Sequence, residues 1–204
     1  NACGIASANT VKDAYLKALE ADPISAFGGV IISTKAIDKE TAEELHKLFF
    51  EILIAPSFDE DALEILKQKK NRILLVKKET QSVTKQFRTL LNGVIEQDKD
   101  LKIETEADLK TVTEREPTAS EVKAMIFANK ICKHTKSNAI VLAVEGQLIA
   151  SGVGQTSRVD ALTQAIEKAK SLNLNLEGCA MASDAFFPFP DCVEIAFKAG
   201  IKSV

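Results

Sequence analysis

The chain has 204 residues, enough for one large domain or two small ones at roughly 100–200 residues per domain. Its side chains are 46% hydrophobic and 27% charged, which excludes a disordered tail, and no apolar run approaches the ~18 residues of a membrane-spanning helix. A net charge of −3 lays no basic field over the chain, Trp is absent and Tyr occurs once, all of which argue against general nucleic-acid binding.

The first predicted element is a helix capped by Thr10, with Val11, Ala14, Tyr15, Ala18 and Leu19 on one side. Asp22-Pro23 ends it, because the residue before proline avoids the α region. The string S-A-F-G-G-V-I-I-S, residues 25–33, turns into a buried strand. Asp38 caps a second helix to about Phe50, followed by a strand over 52–56. A helix from Glu60 to Lys69 and a strand from Arg72 to Val76 complete an alternation that predicts parallel pairing in an α/β layered fold.

The alternation then breaks. Residues 59–123 carry 27 of the 55 charged side chains, about half the charge in a third of the chain. Leu91-Asn92-Gly93-Val94 predicts a hairpin with a type I′ turn on Asn-Gly, so 78–116 reads as an antiparallel excursion or connector with a solvated face. Pro117 is expected in the first turn of a helix running to Lys133. Strands follow over 139–144 and 147–153 around a Glu145-Gly146 turn, then a helix from Ser157 to Leu172. A strand over 179–182, a helix over 191–198 and a strand starting near Ile201 end the chain. The second half repeats the strand–helix order of the first, giving two subdomains, 1–77 and 117–204.

Cys3, Cys132, Cys179 and Cys192 show no CxxC spacing and only His46 and His134 accompany them, so no metal site is expected and the thiols read as buried and free. Chemistry is expected in four strings. G-V-G-Q-T-S-R, residues 152–158, leaves a strand and opens a helix with Arg158 in its first turn. That suits an anion at the helix start, with a guanidinium fork beside it; it equally suits a plain corner capped by Ser157. K-H-T-K-S-N, residues 133–138, offers the Asn138 amide, or simply helix C-capping by Lys133 and His134. A-S-D-A-F-F-P-F-P-D, residues 182–191, could wall a flat aromatic ligand with Asp184 or Asp191 meeting an amine, or plug the gap between subdomains with Asp191 capping the next helix. S-A-F-G-G, residues 25–29, allows close backbone approach at Gly28.

With N-A-C-G-I-A at the start and I-A-P-x-F in the middle, these strings run in the order of one family. The chain resembles the formyltransferase part of the bifunctional purine-biosynthesis enzymes, which join an AICAR (phosphoribosylaminoimidazolecarboxamide) formyltransferase to an IMP cyclohydrolase. The resemblance implies a cytidine-deaminase-like, three-layer α/β/α fold of two related subdomains. It implies a cytoplasmic homodimer with active sites at the subunit interface, and formyl transfer from 10-formyltetrahydrofolate to the 5-amino group of AICAR without a catalytic metal. Gly28, Glu51, Asn138, Arg158 and Phe186 match residues that contact AICAR. Asn138 also matches the one that helps stabilise the transferring formyl group, and Val159 and Asp191 match folate contacts. Glu51 is expected at the mouth of a strand. The family's Lys-His pair, whose histidine takes the amine proton, precedes the N-x-C-G segment, and here that segment starts at Asn1. The expectation is therefore a chain cut at both ends, without its cyclohydrolase part and inert by itself. A non-catalytic nucleotide- or folate-binding module, or a dimerisation fragment, is the alternative.

Overall fold

The computed structural model describes residues 1–79 and 83–204. It is a mixed α/β protein with two three-stranded sheets and a separate hairpin. Helix α1 (Val11–Ala21) is capped by the Thr10 hydroxyl, which accepts from the Asp13 N–H at 3.0 Å. Strand β1 (Gly29–Ile32), α2 (Lys39–Lys47), β2 (Phe50–Ala55), α3 (Glu60–Leu66) and β3 (Ile73–Val76) form two successive β-α-β units. Their sheet has the order β1-β2-β3 and is parallel throughout, as the alternation predicts. Helix α2 ends at Lys47, earlier than expected, because Phe50 and Glu51 are drawn into β2. Arg72 fixes that junction: its guanidinium lies 4.3 Å over the Phe50 ring and donates to the carbonyls of His46 and Leu48.

Helices cover one face of this sheet. Ile31, Leu53 and Leu74 pack with Ala42, Leu45, Ala62 and Leu66. The opposite face is bare: the register aligns Val30, Ile52 and Ile73 in one row and Ile32, Ile54 and Leu75 in the next. Val30 and Ile32 are 61% and 64% exposed. Parallel sheets ordinarily bury both faces, so this face is built to be covered.

The hairpin of β4 (Lys85–Leu90) and β5 (Gly93–Asp98) stands where Asn-Gly announces one, with a different turn. Leu90 pairs with Gly93, so Leu91 and Asn92 make the turn and Gly93 starts the strand without a positive φ. A type I′ turn needs positive φ at both central residues, and neither has it. Residues 80–82 of the expected excursion lie outside the described residues. Its later part is a strap pinned to the next helix: Lys133 pairs with Asp100 at 3.0 Å, and Arg115 grips Glu121 through two 2.9 Å hydrogen bonds.

That helix, α4 (Ala119–Lys133), starts two residues beyond Pro117. Thr118 is its cap and closes a capping box with Glu121, leaving Pro117 outside. Strands β6 (Ile140–Val144), β7 (Gln147–Gly152) and β8 (Ala180–Ser183) form an antiparallel sheet of order β7-β6-β8. The second half therefore does not repeat the parallel pairing of the first. Alternate side chains of β6 go to opposite cores. Ile140 and Leu142 pack against α5 (Arg158–Ser171) and α6 (Asp191–Lys198), whereas Val141 and Ala143 pack against α4 and the end of α1. Helix, sheet and helix form three layers here. The strand expected at Ile201 is reduced to one parallel bridge between Ser203 and Ala180.

The N-terminal residues join this second sheet. Ala6 bridges Gln147, and the Gln147 side chain donates to the Lys17 carbonyl and to Glu20. Two glycines permit the close approaches. A Cβ on Gly4 would lie 1.9 Å from the Ala18 carbonyl oxygen, and one on Gly152 would lie 1.8 Å from that of Ala161. The first glycine of the 152–158 string therefore lets α5 sit on β7. Gly152→Ala should cost about 1–3 kcal/mol, the range for overpacking a filled site, and lower the urea midpoint at unchanged m-value. An unmoved midpoint would show that α5 yields without cost.

Candidate functional site

Two of the strings are zipped together at the edge of the second sheet. The Gly154 N–H donates to the Lys136 carbonyl at 2.7 Å, and Asn138 and Gln155 exchange backbone hydrogen bonds of 3.1 and 3.3 Å. Gly154 makes this turn possible, with φ of +69° and the Lys136 stem beside it. The Asn138 side chain is held by the same loop. Its Nδ2 donates to the carbonyls of Gln155 and Thr156, both at 3.1 Å, which engages both amide hydrogens. Oδ1 has no hydrogen-bond partner among the described residues, so Asn138 offers an acceptor rather than the donor-and-acceptor pair its type allows.

Arg158 is the first residue of α5, behind the Ser157 cap, whose hydroxyl accepts from the Asp160 N–H at 3.0 Å. Its side chain turns back over β8. Nε donates to Ser183 Oγ at 2.7 Å and Nη2 to Asp184 Oδ1 at 3.0 Å, with both charged side chains mostly buried. Nη1 has no hydrogen-bond partner among the described residues. The corner is thus not an open anion nest. Ser157 and Asp160 occupy the helix start, and the Arg158 charge is balanced by Asp184. What remains for a ligand is one edge of an oriented guanidinium. Asp184 also accepts from the Ala139 N–H at 2.8 Å. Burial pushes its carboxyl up, but hydrogen bonds from Ser137, Ala139 and Arg158 outweigh that and hold it below the usual carboxylate range. Asp184 is therefore an anionic anchor already in use, not a spare group for an amine. Sequence reasoning offered Asp184 as a partner for an amine and missed its role as an anchor for Arg158, for which the only signal was the S-D pair at the end of a buried strand.

The remaining expected residues divide. Val159 packs partly into the core beside Arg158. Of the three phenylalanines in the 182–191 segment only Phe187 packs against the core, while Phe186 and Phe189 are 80% and 68% exposed, so the segment is not an internal plug. Asp191 is the first residue of α6 rather than its cap; Pro190 is the cap, and Asp191 bonds its neighbour's N–H at Cys192. Gly28 and Glu51 lie on the first sheet. Gly28, at φ +72°, donates to the Phe49 carbonyl, and exposed Glu51 is the second residue of β2. No hydrogen bond or ion pair among the described residues joins either to Arg158 or Asn138.

Neither histidine belongs to this cluster. His46 is half-buried, with its Nδ1 3.2 Å from Arg72 Nη1, which can only donate. His134 ends α4, where its N–H caps the carbonyls of Ile131 and Cys132, while Lys133 reaches the strap instead of the helix end. A 560 Å³ cavity under the strap is lined by Met125, Met181, Val193 and Phe197 and contains none of the expected residues. Among the described residues no helix is long and apolar enough to cross a membrane.

A family model described as AICARFT/IMPCHase bienzyme matches residues 1–168. The chain belongs to that family. Over all 204 residues it is 66% identical to the bifunctional purine biosynthesis protein PurH of Bacteroides thetaiotaomicron. It is 48% identical to PurH of Acetivibrio thermocellus and 47% identical to that of Thermoanaerobacter sp., again over the whole chain. It spans about 40% of the length of each of these relatives. The resemblance seen in the motifs is thus a family membership.

The cysteines separate clearly. Cys132 and Cys179 are buried and their thiols are pushed up to about 11 by desolvation; burial also raises Cys192. Cys3 is exposed, contrary to the expectation of four buried thiols. A thiolate-selective reagent near neutral pH should label one cysteine per native chain quickly and all four only after denaturation. Rapid labelling of two or more would contradict this burial.

Proposed function

We propose that the chain carries part of an AICAR formyltransferase site, active in the cytoplasm, in which a formyl group passes from 10-formyltetrahydrofolate to the 5-amino group of AICAR. The observation that carries this reading is the shared anchorage of Arg158 and the Asn138 segment on Asp184, with Arg158 Nη1 and Asn138 Oδ1 without hydrogen-bond partners among the described residues. Family membership and the relatives' purine-biosynthesis name support the substrate class.

The arylamine of AICAR is a weak nucleophile, because its lone pair delocalises into the ring. As its nitrogen attacks the formyl carbon, a C–N bond forms, the carbonyl becomes an oxyanion and the amine must lose a proton. The Asn138 acceptor suits an N–H of the amine or carboxamide and would aim the nitrogen lone pair at the formyl carbon. It does not suit the oxyanion, so that donor has to be another group. Arg158 would hold an anionic or carbonyl edge of the nucleotide, Phe186 would lie along the heterocycle, and Val159 and Asp191 would meet the folate. Orientation of two large substrates would supply much of the rate. Neither histidine of the chain stands at this cluster, so the 204 residues alone are expected to show no turnover.

Gly28 and Glu51 would reach a nucleotide from a second copy. The bare sheet face of Val30, Ile32, Ile73 and Leu75 supports such pairing, since so much apolar surface favours a partner. Sedimentation should show a homodimer, and Ile32→Glu should shift it to monomer; an unchanged sedimentation profile for the variant would move the interface elsewhere. In the natural protein carrying this chain, Arg158→Ala should weaken AICAR binding by about 1.5–3 kcal/mol, the scale of a hydrogen bond to a charged group. Arg158→Lys should recover only part of it. Calorimetry reads both, and full affinity in Arg158→Ala would remove this site. His134→Ala should leave formyl transfer intact, followed by tetrahydrofolate release; loss of turnover in a stable His134→Ala protein would make His134 the base.

A further inference from the structure

Arg158 and Asn138 come from different elements, yet a nucleotide held by both needs them fixed relative to each other. Side-chain ordering costs up to about 2 kcal/mol for an arginine, and a ligand that must impose it binds more weakly. One oxygen does the fixing here. Asp184 Oδ1 accepts from Arg158 Nη2 at 3.0 Å and from the Ala139 N–H, next to Asn138, at 2.8 Å. The Asp184 N–H donates back to the Ala139 carbonyl at 3.3 Å. Ser183 completes the clamp: its Oγ accepts from Arg158 Nε at 2.7 Å and donates to the Ala185 carbonyl at 2.7 Å. The Arg158 and Asp184 side chains are only 14% and 16% exposed, so solvent hardly competes for the pair.

We propose that Asp184, assisted by Ser183, is the positioning residue of the nucleotide site: its carboxylate sets Arg158 against the Asn138 segment before AICAR arrives. The inference rests on the proposed AICAR site. Asp184 acts through Arg158 and touches no substrate atom.

The test is a double-mutant cycle in the natural protein carrying this chain, with AICAR KM, folate KM and kcat read from tetrahydrofolate release. Asp184→Asn keeps an acceptor for the Ala139 N–H and removes the charge that aims Arg158. It should raise the AICAR KM about tenfold, with kcat and folate KM changed less than about threefold, a split that marks lost nucleotide binding. In the Arg158→Ala background the same change should add nothing, because coupled residues are not additive. Ser183→Ala, a milder change, should raise the AICAR KM in the same direction and keeps the test open should Asp184→Asn not fold. An unchanged or lowered KM in Asp184→Asn would overturn the proposal; a lowered one would mean that Asp184 competes with the nucleotide for the guanidinium. A full tenfold effect persisting without Arg158 would also overturn it, by showing that Asp184 meets the substrate itself. If Arg158→Ala alone leaves the AICAR KM unmoved, the AICAR site itself fails and this inference goes with it. If Arg158→Ala raises it and Asp184→Asn does not, only this inference fails.

Discussion

The edge of the second sheet depends on one half-buried carboxylate that serves two partners at once. Asp184 follows β8, a strand held between two hydrophobic cores, and its oxygen receives the backbone after Asn138 and the side chain that opens α5. A half-buried anion of this kind is tolerable only when paired and hydrogen-bonded, and the structure supplies both. Everything nearby follows from that constraint. Arg158 lies back over the sheet instead of reaching into solvent, the 133–138 loop is drawn against the 152–156 loop, and the Asn138 amide spends its hydrogens on that loop.

The placement of this edge rests on packing at a longer range. Gly152 lets α5 approach β7, and the N-terminal residues and α1 lie along the other side of the same strand. The first sheet is held by its own core and leaves a bare apolar face. The second sheet is thus sandwiched and the first is covered on one side.

Much of this was legible in the residues. Thr10, Asp38 and Ser157 mark helix starts because their hydroxyls or carboxylate take orphan N–H groups, and the β-α-β alternation implies parallel pairing. The misses share a cause: a partner distant in sequence decided the outcome. Arg72, stacked on Phe50, cuts α2 short, and strand register rather than Asn-Gly chemistry places the β4–β5 turn. Pairing to β6 from both sides makes the second sheet antiparallel. The site shows the same division. Arg158 and Asn138 stand out as residue types in telling strings, whereas Asp184 stands out there only as a partner for an amine, not as the anchor it is. Its anchoring role appears only when the fold brings it to Ala139, 45 positions away in the chain.

The account's central claim is that Arg158 and Asn138 form one preset nucleotide site. A crystal structure of the natural protein carrying this chain, soaked with AICAR, tests it most directly. The account predicts the nucleotide within hydrogen-bond distance of Arg158 Nη1 and Asn138 Oδ1, with the Arg158–Asp184 pair of 3.0 Å unbroken. AICAR bound elsewhere, or bound only after Arg158 leaves Asp184, would contradict it.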